Sequence, residues 1–257
     1  MPFVDSRRAC DSRACYRPHH HPTFSIGAVD RGSSVFTGAA AGPLRLRPGT
    51  VVWVPAARVH ACNPARGATW SYQMLHLDAD WLRRVRQEDT DSALLEAEPV
   101  RITTDPARYA RFCRLNALLF SDADRCDKEA ELIEFIGDCD IAHGLRIDAP
   151  SAPTRLLERL RPALECLRAT PAAGMALGAL AHLAGMSRYQ LIRAFRTVTG
   201  LTPHAWQLNQ RINLGRHLIR DGAGIADVAQ RLGFADQAHF QRVFKAHVGV
   251  SPGRFRA

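Results

Sequence analysis

Apolar and polar positions follow different patterns in the two halves of the chain. Between residues 23 and 77 the apolar residues form short runs separated by glycine and proline, a pattern typical of β-strands. After residue 104 they recur at the three- and four-residue spacing of helices. The predicted strands cover residues 23–29, 33–36, 44–46, 51–54 and 71–77, with turns at 30–32 and 48–49, and the first predicted helices cover 105–120 and 123–141. Many short strands followed by helices indicate an α+β protein that opens with a β-barrel or jelly roll.

The helical half contains a stretch of sequence that occurs twice. The first copy reads Ala181-x3-Gly185-x5-Leu191-x-Arg193-x-Phe195 and continues to Gly200-x-Thr202-Pro203. The second copy reads Ala229-x3-Gly233-x6-Phe240-x-Arg242-x-Phe244 and continues to Gly249-x-Ser251-Pro252. The copies are offset by 48 residues up to the glycine and by 49 after it. Such self-similarity indicates a duplicated structural unit.

Each copy predicts two helices joined by a tight turn. Gly185 and Gly233 supply the backbone freedom of a sharp turn, and Ser187 and Asp236 are suitable N-caps for the helices that follow. This arrangement is a helix-turn-helix, whose second helix can enter the major groove of DNA. A long connecting helix opens at Pro203, and its predicted apolar face comprises Ala205, Leu208, Ile212, Gly215 and Ile219.

Residues 155–257 resemble the AraC/XylS family of bacterial transcription regulators. The resemblance includes the linker-helix pattern Trp206-x4-Arg211-Ile212-x2-Gly215-x2-Leu218-Ile219. It also includes the signature Gly233-Phe234-x4-His239-Phe240-x3-Phe244-x4-Gly249-Val250-Ser251-Pro252-x2-Phe255-Arg256. It implies a regulator that binds double-stranded promoter DNA, works with RNA polymerase and can form a homodimer. Family members usually carry alanine where this chain has Gly215, which predicts a less rigid connecting helix.

The charge of the chain is concentrated in the helical half. The formal net charge is +9, from 34 basic and 25 acidic residues. Residues 154–257 hold 15 basic and 5 acidic residues, whereas the first 153 residues hold 19 and 20. A basic domain beside a nearly neutral one is typical of a module that binds a polyanion such as DNA.

The second helix of each repeated unit carries the side chains predicted to reach DNA. Arginine can pair with guanine, glutamine can pair with adenine, and tyrosine or isoleucine can pack on a thymine methyl group. Arg193 and Arg242 occupy matching places in the two copies, so both also fit a role in phosphate binding or in bracing the motif. The predicted DNA-binding residues are Arg188, Tyr189, Ile192, Arg193, Arg196, Gln237, Ala238, Gln241, Arg242 and Lys245.

The strand-rich half contains the motif Leu46-Arg47-Pro48-Gly49-x5-Pro55-x4-His60. The motif resembles the second cupin motif, and residues 15–80 resemble the sensing domains of AraC-type regulators. The resemblance implies a cupin-like barrel that binds a small-molecule effector without catalysis. Side chains at alternating strand positions would face such a pocket. The predicted pocket residues are His21, Trp53, Arg58, His60, Tyr72, Met74 and His76.

A cluster near the N-terminus leaves a metal or thiol function open. The motif Cys10-x4-Cys15-x3-His19-His20-His21 offers sulfur and imidazole ligands that His60 or Cys62 could complete. The set His19, His21 and His60 could hold iron, nickel or zinc. No glutamate follows the histidines as in cupin enzymes, so we predict no resident metal, no other cofactor and no catalysis. The alternatives are a metal- or redox-sensing regulator, a cupin enzyme with a DNA-binding domain, and a regulator whose N-terminal domain only dimerises.

The chain is predicted to contain a sensor domain at residues 1–145, a linker at 146–154 and a DNA-binding domain at 155–257. Two prolines between Gly144 and Thr154 indicate the linker. The lack of a long apolar run and the irregular spacing of the seven cysteines predict a cytoplasmic protein without a membrane span. The stripe Leu132, Phe135, Ile136 and Cys139 fits packing within its own domain or a dimer interface.

Overall fold

The computed structural model describes residues 1–38, 42–86, 98–140, 144–148 and 152–256. The chain divides into two compact units, one comprising Met1–Ala14 and His20–Ala149 and the other Cys15–His19 and Pro150–Ala257. The first unit is rich in strands and the second is helical, which confirms the predicted two-domain α+β architecture. No helix within the described ranges has the length and apolar character needed to cross a bilayer.

The described strands of the first unit form two antiparallel sheets. One sheet contains six strands: β1 (Val4–Ser12), β2 (Phe24–Gly32), β5 (Val51–Val54), β7 (Trp70–Leu77), β8 (Val100–Thr103) and β9 (Leu145–Ile147). Their order across the sheet is β1-β7-β2-β5-β8-β9. The smaller sheet contains β3 (Ser34–Thr37), β4 (Leu44–Leu46) and β6 (Ala61–Pro64), with β3 in the centre. All five strands predicted from the apolar runs are present.

The register of the larger sheet decides which side chains face the smaller one. Gly27 pairs with Val52 on one neighbour and with Met74 on the other, and all three line a cavity between the sheets. The preceding residue, Ile26, pairs with Trp53 on the opposite face, against the helices. Because directly opposed residues point to the same side of a sheet, alternate positions of β2, β5 and β7 serve two separate cores.

In the described part of the chain, three helices cover the outer face of the larger sheet. They are α1 (Ala79–Arg86), α2 (Pro106–Leu119) and α3 (Arg125–Asp140). Asp105 caps α2 by accepting a hydrogen bond from the backbone N–H of Ala107 at 2.9 Å. The core they form with the sheet includes Phe24, Ile26, Trp53, Leu75, Leu77, Phe112, Leu115, Leu132, Phe135 and Ile136. The predicted stripe on α3 therefore packs within its own domain, while the side chain of Cys139 lies outside the described residues.

Several strands are not evident from the apolar pattern. β1 reads Val-Asp-Ser-Arg-Arg-Ala-Cys-Asp-Ser and lies at a sheet edge, where outward polar side chains reach water. β9 lies at the other edge and takes up the first two residues of the predicted linker, because Ile147 is buried and pairs with Val100. The predicted turn at 30–32 is instead part of β2, where pairing with β7 shifts register between Val29 and Arg31.

The described residues of the second unit form seven helices. They are α4 (Thr154–Ala169), α5 (Leu177–Leu183), α6 (Arg188–Thr199), α7 (Pro203–Arg220), α8 (Ile225–Arg231), α9 (Gln237–Val248) and α10 (Pro252–Arg256). Gly185 and Gly233 adopt φ angles of 58° and 69° in the turns α5–α6 and α8–α9. Ser187 forms a capping box at the start of α6, and Asp236 accepts the N–H of His239 at 2.6 Å at the start of α9. Both predicted helix-turn-helix units are therefore present.

The connecting helix α7 is buried most deeply where it meets the second unit. Ile212, Gly215 and Ile219 are buried as predicted, whereas Ala205 and Leu208 are only half-buried. A Cβ atom at Gly215 would lie 3.1 Å from Leu232 Cδ1 and 3.3 Å from the Phe240 ring. The glycine thus allows a close approach of helices, in addition to any loss of helix rigidity.

Candidate DNA-binding surface and effector cavity

The ten predicted DNA-binding residues lie on the second helices of the two units, α6 and α9. Each helix is anchored by two fully buried side chains, Leu191 and Phe195 on α6 and Phe240 and Phe244 on α9. Since the buried residues occupy one stripe, the rest of each helix faces solvent. Ile192 and Gln241 are half-buried, and the exposed residues are Arg188, Tyr189, Arg193, Arg196, Gln237, Ala238, Arg242 and Lys245.

The exposed face of α6 combines an aromatic ring with arginines. Tyr189 has 67% of its surface exposed, and the Arg193 guanidinium lies 5.7 Å from the centre of its ring, within cation–π range. Arg188 lies against α5, since a Cβ atom at Gly178 would be 3.2 Å from its Nη2. Gln190 is engaged in the capping box. Tyr189 and Arg193 are therefore a paired unit at the centre of this face.

The exposed face of α9 has a different chemistry. Gln237 and Ala238 stand in its first turn, and Gln241 is half-buried one turn further on. Arg242 and Lys245 supply its exposed positive charge. The two helices thus present different donor sets to solvent, which is what a reader of two different half-sites requires.

Two arginines outside the predicted site hold the turns in place. Arg211 of α7 donates to the carbonyls of residues 171 and 172 at 2.9 and 3.1 Å and to that of Gly233 at 3.3 Å. Arg159 of α4 donates to the carbonyl of Gly185. Burial lowers the pKa of the Arg211 guanidinium. Each turn glycine therefore receives one arginine, and the place of Arg211 in the linker-helix pattern is the sequence signal that pointed to it.

The two sheets of the sensor domain enclose a small cavity. Its volume is about 20 Å³, which is room for about one water molecule. The walls are mainly apolar and come from both sheets, with Leu46, Val52, Val54, Trp70 and Met74 among them. A larger molecule can enter only if side chains move, and the unbranched Met74 is the most adaptable of these.

Polar side chains gather at one end of the cavity. Ser25 Oγ lies 3.1 Å from His21 Nδ1 and 2.8 Å from His76 Nδ1, and the rings of His21 and His60 are 4.9 Å apart, edge to face. His60 Nδ1 donates to the Arg58 carbonyl at 2.9 Å. Burial lowers the pKa of His60; the hydrogen bond to Arg58 opposes this shift, and the charge of Arg58 adds to it. His60 is therefore neutral near pH 7.

Most of the predicted pocket residues are placed at this cavity. His60, Tyr72 and Met74 line it, and His21 and His76 adjoin its polar end through Ser25. Arg58 is buried two residues before His60 but is not itself part of the lining.

The prediction for Trp53 is wrong. Its side chain lies on the opposite face of the sheet, in the core with Ile26 and Leu75. All four residues of β5 are apolar and buried, so the sequence offered no alternation from which to choose a face. The lining residues that sequence reasoning missed include Val52 and Trp70, and strand register is the signal that assigns them.

The metal and thiol alternatives use residues of both compact units. Cys10, His21 and His60 belong to the first, and Cys15 and His19 to the second. Cys10 and Cys15 are exposed and unbridged. Burial raises the pKa of the Cys62 thiol to about 12, so this residue is not a reactive thiolate at neutral pH. Metal binding and thiol sensing stay predictions.

Comparisons with known proteins agree with this architecture. Residues 4–136 match the model of the AraC-like ligand binding domain, and residues 180–257 match that of a helix-turn-helix domain. The transcriptional regulator YbfI of Bacillus subtilis is 24% identical over 221 residues, which cover 86% of this chain and 80% of YbfI. The transcriptional regulator MtrA of Neisseria gonorrhoeae is 39% identical over 74 residues, which cover 28% of this chain and 25% of MtrA.

The fold also has a counterpart among solved structures. ToxT from Vibrio cholerae, in its crystal structure with a bound unsaturated fatty acid, superposes with a TM-score of 0.61 at 12% identity, covering 99% of this chain and 94% of ToxT. This likeness concerns the fold, while the matched domain models concern the sequence and together span most of it. The chain therefore belongs to the AraC family of transcriptional regulators, with an N-terminal ligand-binding domain and a C-terminal helix-turn-helix DNA-binding domain.

Proposed function

We propose that this protein binds specific promoter sequences through α6 and α9, and that a small molecule in the sensor cavity modulates this binding. The observation that carries the proposal is the pair of capped, solvent-facing helices in a half of the chain with 15 basic and 5 acidic residues. The residues assigned to the DNA contact are Arg188, Tyr189, Ile192, Arg193, Arg196, Gln237, Ala238, Gln241, Arg242 and Lys245.

We divide these side chains between base and phosphate contacts. Tyr189 and Gln237 stand in the first turns of α6 and α9, where recognition helices touch base edges. Arg193 and Arg242 lie at matching positions of the two units, which favours phosphate contacts common to both. Arg193 also packs on Tyr189, so it would hold that ring in a fixed orientation.

We assign effector binding to the cavity between the two sheets. Apolar walls with a few polar groups at one end are typical of sites for small amphipathic molecules. The fatty acid in the ToxT structure supports a ligand-binding role for this domain. Since the cavity is about the size of one water molecule, effector binding requires a change of the domain, and that change is what can alter DNA binding.

Further partners follow from this function. A promoter-binding regulator must reach chromosomal DNA and RNA polymerase, so we infer a cytoplasmic location and a contact with the polymerase. A homodimer would bring two DNA-binding domains to one operator and so raise its affinity.

The test is selection of bound sequences from a random DNA pool by the full-length protein, followed by footprinting of the selected site. We expect two protected major-groove segments about one helical turn apart. A protein with Arg193→Ala and Arg242→Ala together serves as the comparison and should lose affinity. Salt-sensitive binding with no preferred sequence would contradict the proposal.

A further inference from the structure

Arg58 is a buried charge without a carboxylate partner. It lies in the loop between β5 and β6, and only 7% of its surface is exposed. Its Nη2 donates to the backbone carbonyl of Asp148, whereas Nε and Nη1 have no hydrogen-bond partner among the described residues. The guanidinium therefore has unused donors in a place that water does not reach freely.

Such an arrangement is costly for the protein alone. Buried charges are normally paired, because the loss of hydration is compensated only by an opposite charge and by hydrogen bonds. The nearest acidic group that influences Arg58 is the exposed Asp148, and burial still lowers the pKa of the guanidinium. The site thus lacks one anion.

The surroundings of Arg58 indicate what the anion is attached to. His60, whose Nδ1 donates to the Arg58 carbonyl, lines the cavity. Trp70 also lines it, and its indole Nε1 has no hydrogen-bond partner among the described residues. None of the described lining residues is acidic, and most are apolar. An anionic head beside Arg58 can therefore be joined to an apolar body in the cavity.

We propose that the effector is a small monocarboxylate with an apolar body, and that its carboxylate pairs with Arg58 while the body enters the cavity at His60. This inference rests on the proposed function, since it names the chemical class of the effector. A carboxylate suits the site better than a phosphate, because one guanidinium and neutral histidines balance a single negative charge.

The same side chain connects the effector to the rest of the chain. Asp148 follows β9 and stands six residues before Thr154, where α4 begins the DNA-binding domain. An anion that takes up donors of Arg58 changes the competition for its bond to the Asp148 carbonyl. Arg58 thereby transmits ligand binding to the segment that leaves the sensor domain.

The experiment measures the melting temperature of the full-length protein with formate, acetate, butyrate or isovalerate at constant ionic strength. The matched neutral probes are acetamide, butyramide and isovaleramide. A saturable rise of roughly 5–10 °C at a hundred-fold excess over Kd is expected for butyrate or isovalerate, and none for the amides. Arg58→Gln should abolish the rise, whereas Arg66→Gln, at an exposed arginine of the same domain, should leave it unchanged.

Several results would overturn the proposal. They are no response to any of the four carboxylates, an equal response to the amides, an equal response to inorganic phosphate, or an undiminished response in Arg58→Gln. If Arg58→Gln does not fold, Arg58→Lys keeps the charge and should retain a weaker response; an unaltered one counts against the pairing. An operator found by selection without any carboxylate response leaves the proposed function standing and removes only the effector class. A carboxylate response without sequence-specific DNA binding does the reverse.

Discussion

At the scale of single residues, buried polar side chains set the chemistry of both domains. His60 is held neutral by burial at the polar end of the cavity, and its tautomer is fixed because Nδ1 donates to the Arg58 carbonyl. Arg211 gives three hydrogen bonds to backbone carbonyls around the second helix-turn-helix. Each makes a prediction that a surface residue of the same type does not.

His60 should make the protein less stable in mild acid. Its folded pKa lies below the ordinary value of about 6.5, so below that pH the unfolded chain binds more protons and the free energy of unfolding falls. One such proton contributes a slope of at most about 1.4 kcal/mol per pH unit. Urea unfolding at pH 7.5 and 5.5 should show a smaller pH difference for His60→Gln than for the wild type.

His204→Gln is the control for this experiment, because His204 is exposed. It should leave the pH difference unchanged. His247 has a pKa lowered by burial too and contributes in the same direction in both proteins. An identical pH difference in His60→Gln and the wild type would show that His60 does not titrate as inferred.

Arg211→Lys should destabilise the DNA-binding domain by about 2 kcal/mol, because a lysine cannot satisfy carbonyls on three residues with a planar fork. Arg231→Lys is the matched control, since Arg231 makes only an exposed pair with Asp227 and should change stability by less than about 0.5 kcal/mol. Thermal unfolding measures both. Equal effects would mean that the carbonyl contacts of Arg211 contribute nothing of their own.

At the scale of elements, local signals explain the helices better than the strands. The turns, caps and apolar stripes of α5–α6 and α8–α9 lie within 25 residues of sequence, and the structure contains both units as predicted. β1 was not predicted because its sequence is largely polar, and its strand conformation comes from pairing with β7. The apolar runs located β5, but its four consecutive buried residues hid which face Trp53 occupies.

A pair of glycine substitutions separates helix propensity from packing. Gly137, inside α3, has open space where a Cβ would stand, so Gly137→Ala should raise the free energy of unfolding by roughly 0.5–1 kcal/mol. Gly215→Ala should be less favourable than this by at least about 1 kcal/mol, because its methyl group presses on Leu232 and Phe240. Chemical denaturation compares the two, and equal gains would contradict the close approach inferred at Gly215.

At the scale of the whole molecule, the distribution of charge assigns a role to each half. Positive charge accumulates in the helical half, where it attracts DNA, while the sensor half is nearly neutral and keeps its polar groups around one end of a cavity. Affinity for DNA and sequence preference then depend on different side chains of the same two helices.

Salt titration of operator binding should separate these roles. Arg242→Ala should weaken binding to the operator and to unrelated DNA by the same factor, and reduce the slope of log K against log salt by about one. Gln237→Ala should leave the slope unchanged and cost roughly 1–3 kcal/mol of discrimination at one base pair. Exchange of these two patterns would mean that Arg242 reads bases and Gln237 does not.

The sequence by itself determined the two repeated units, the charge of their domain and the positions of most strands. These features depend on neighbours in the chain, on turn glycines, caps and periodic apolar residues, and so they are legible without the fold. Only the tertiary structure decided the side of the sheet that Trp53 faces, the burial of Arg58 and the carbonyls that Arg211 contacts. Each of these depends on segments distant in sequence that strand register and helix packing bring together, and no local pattern encodes that distance.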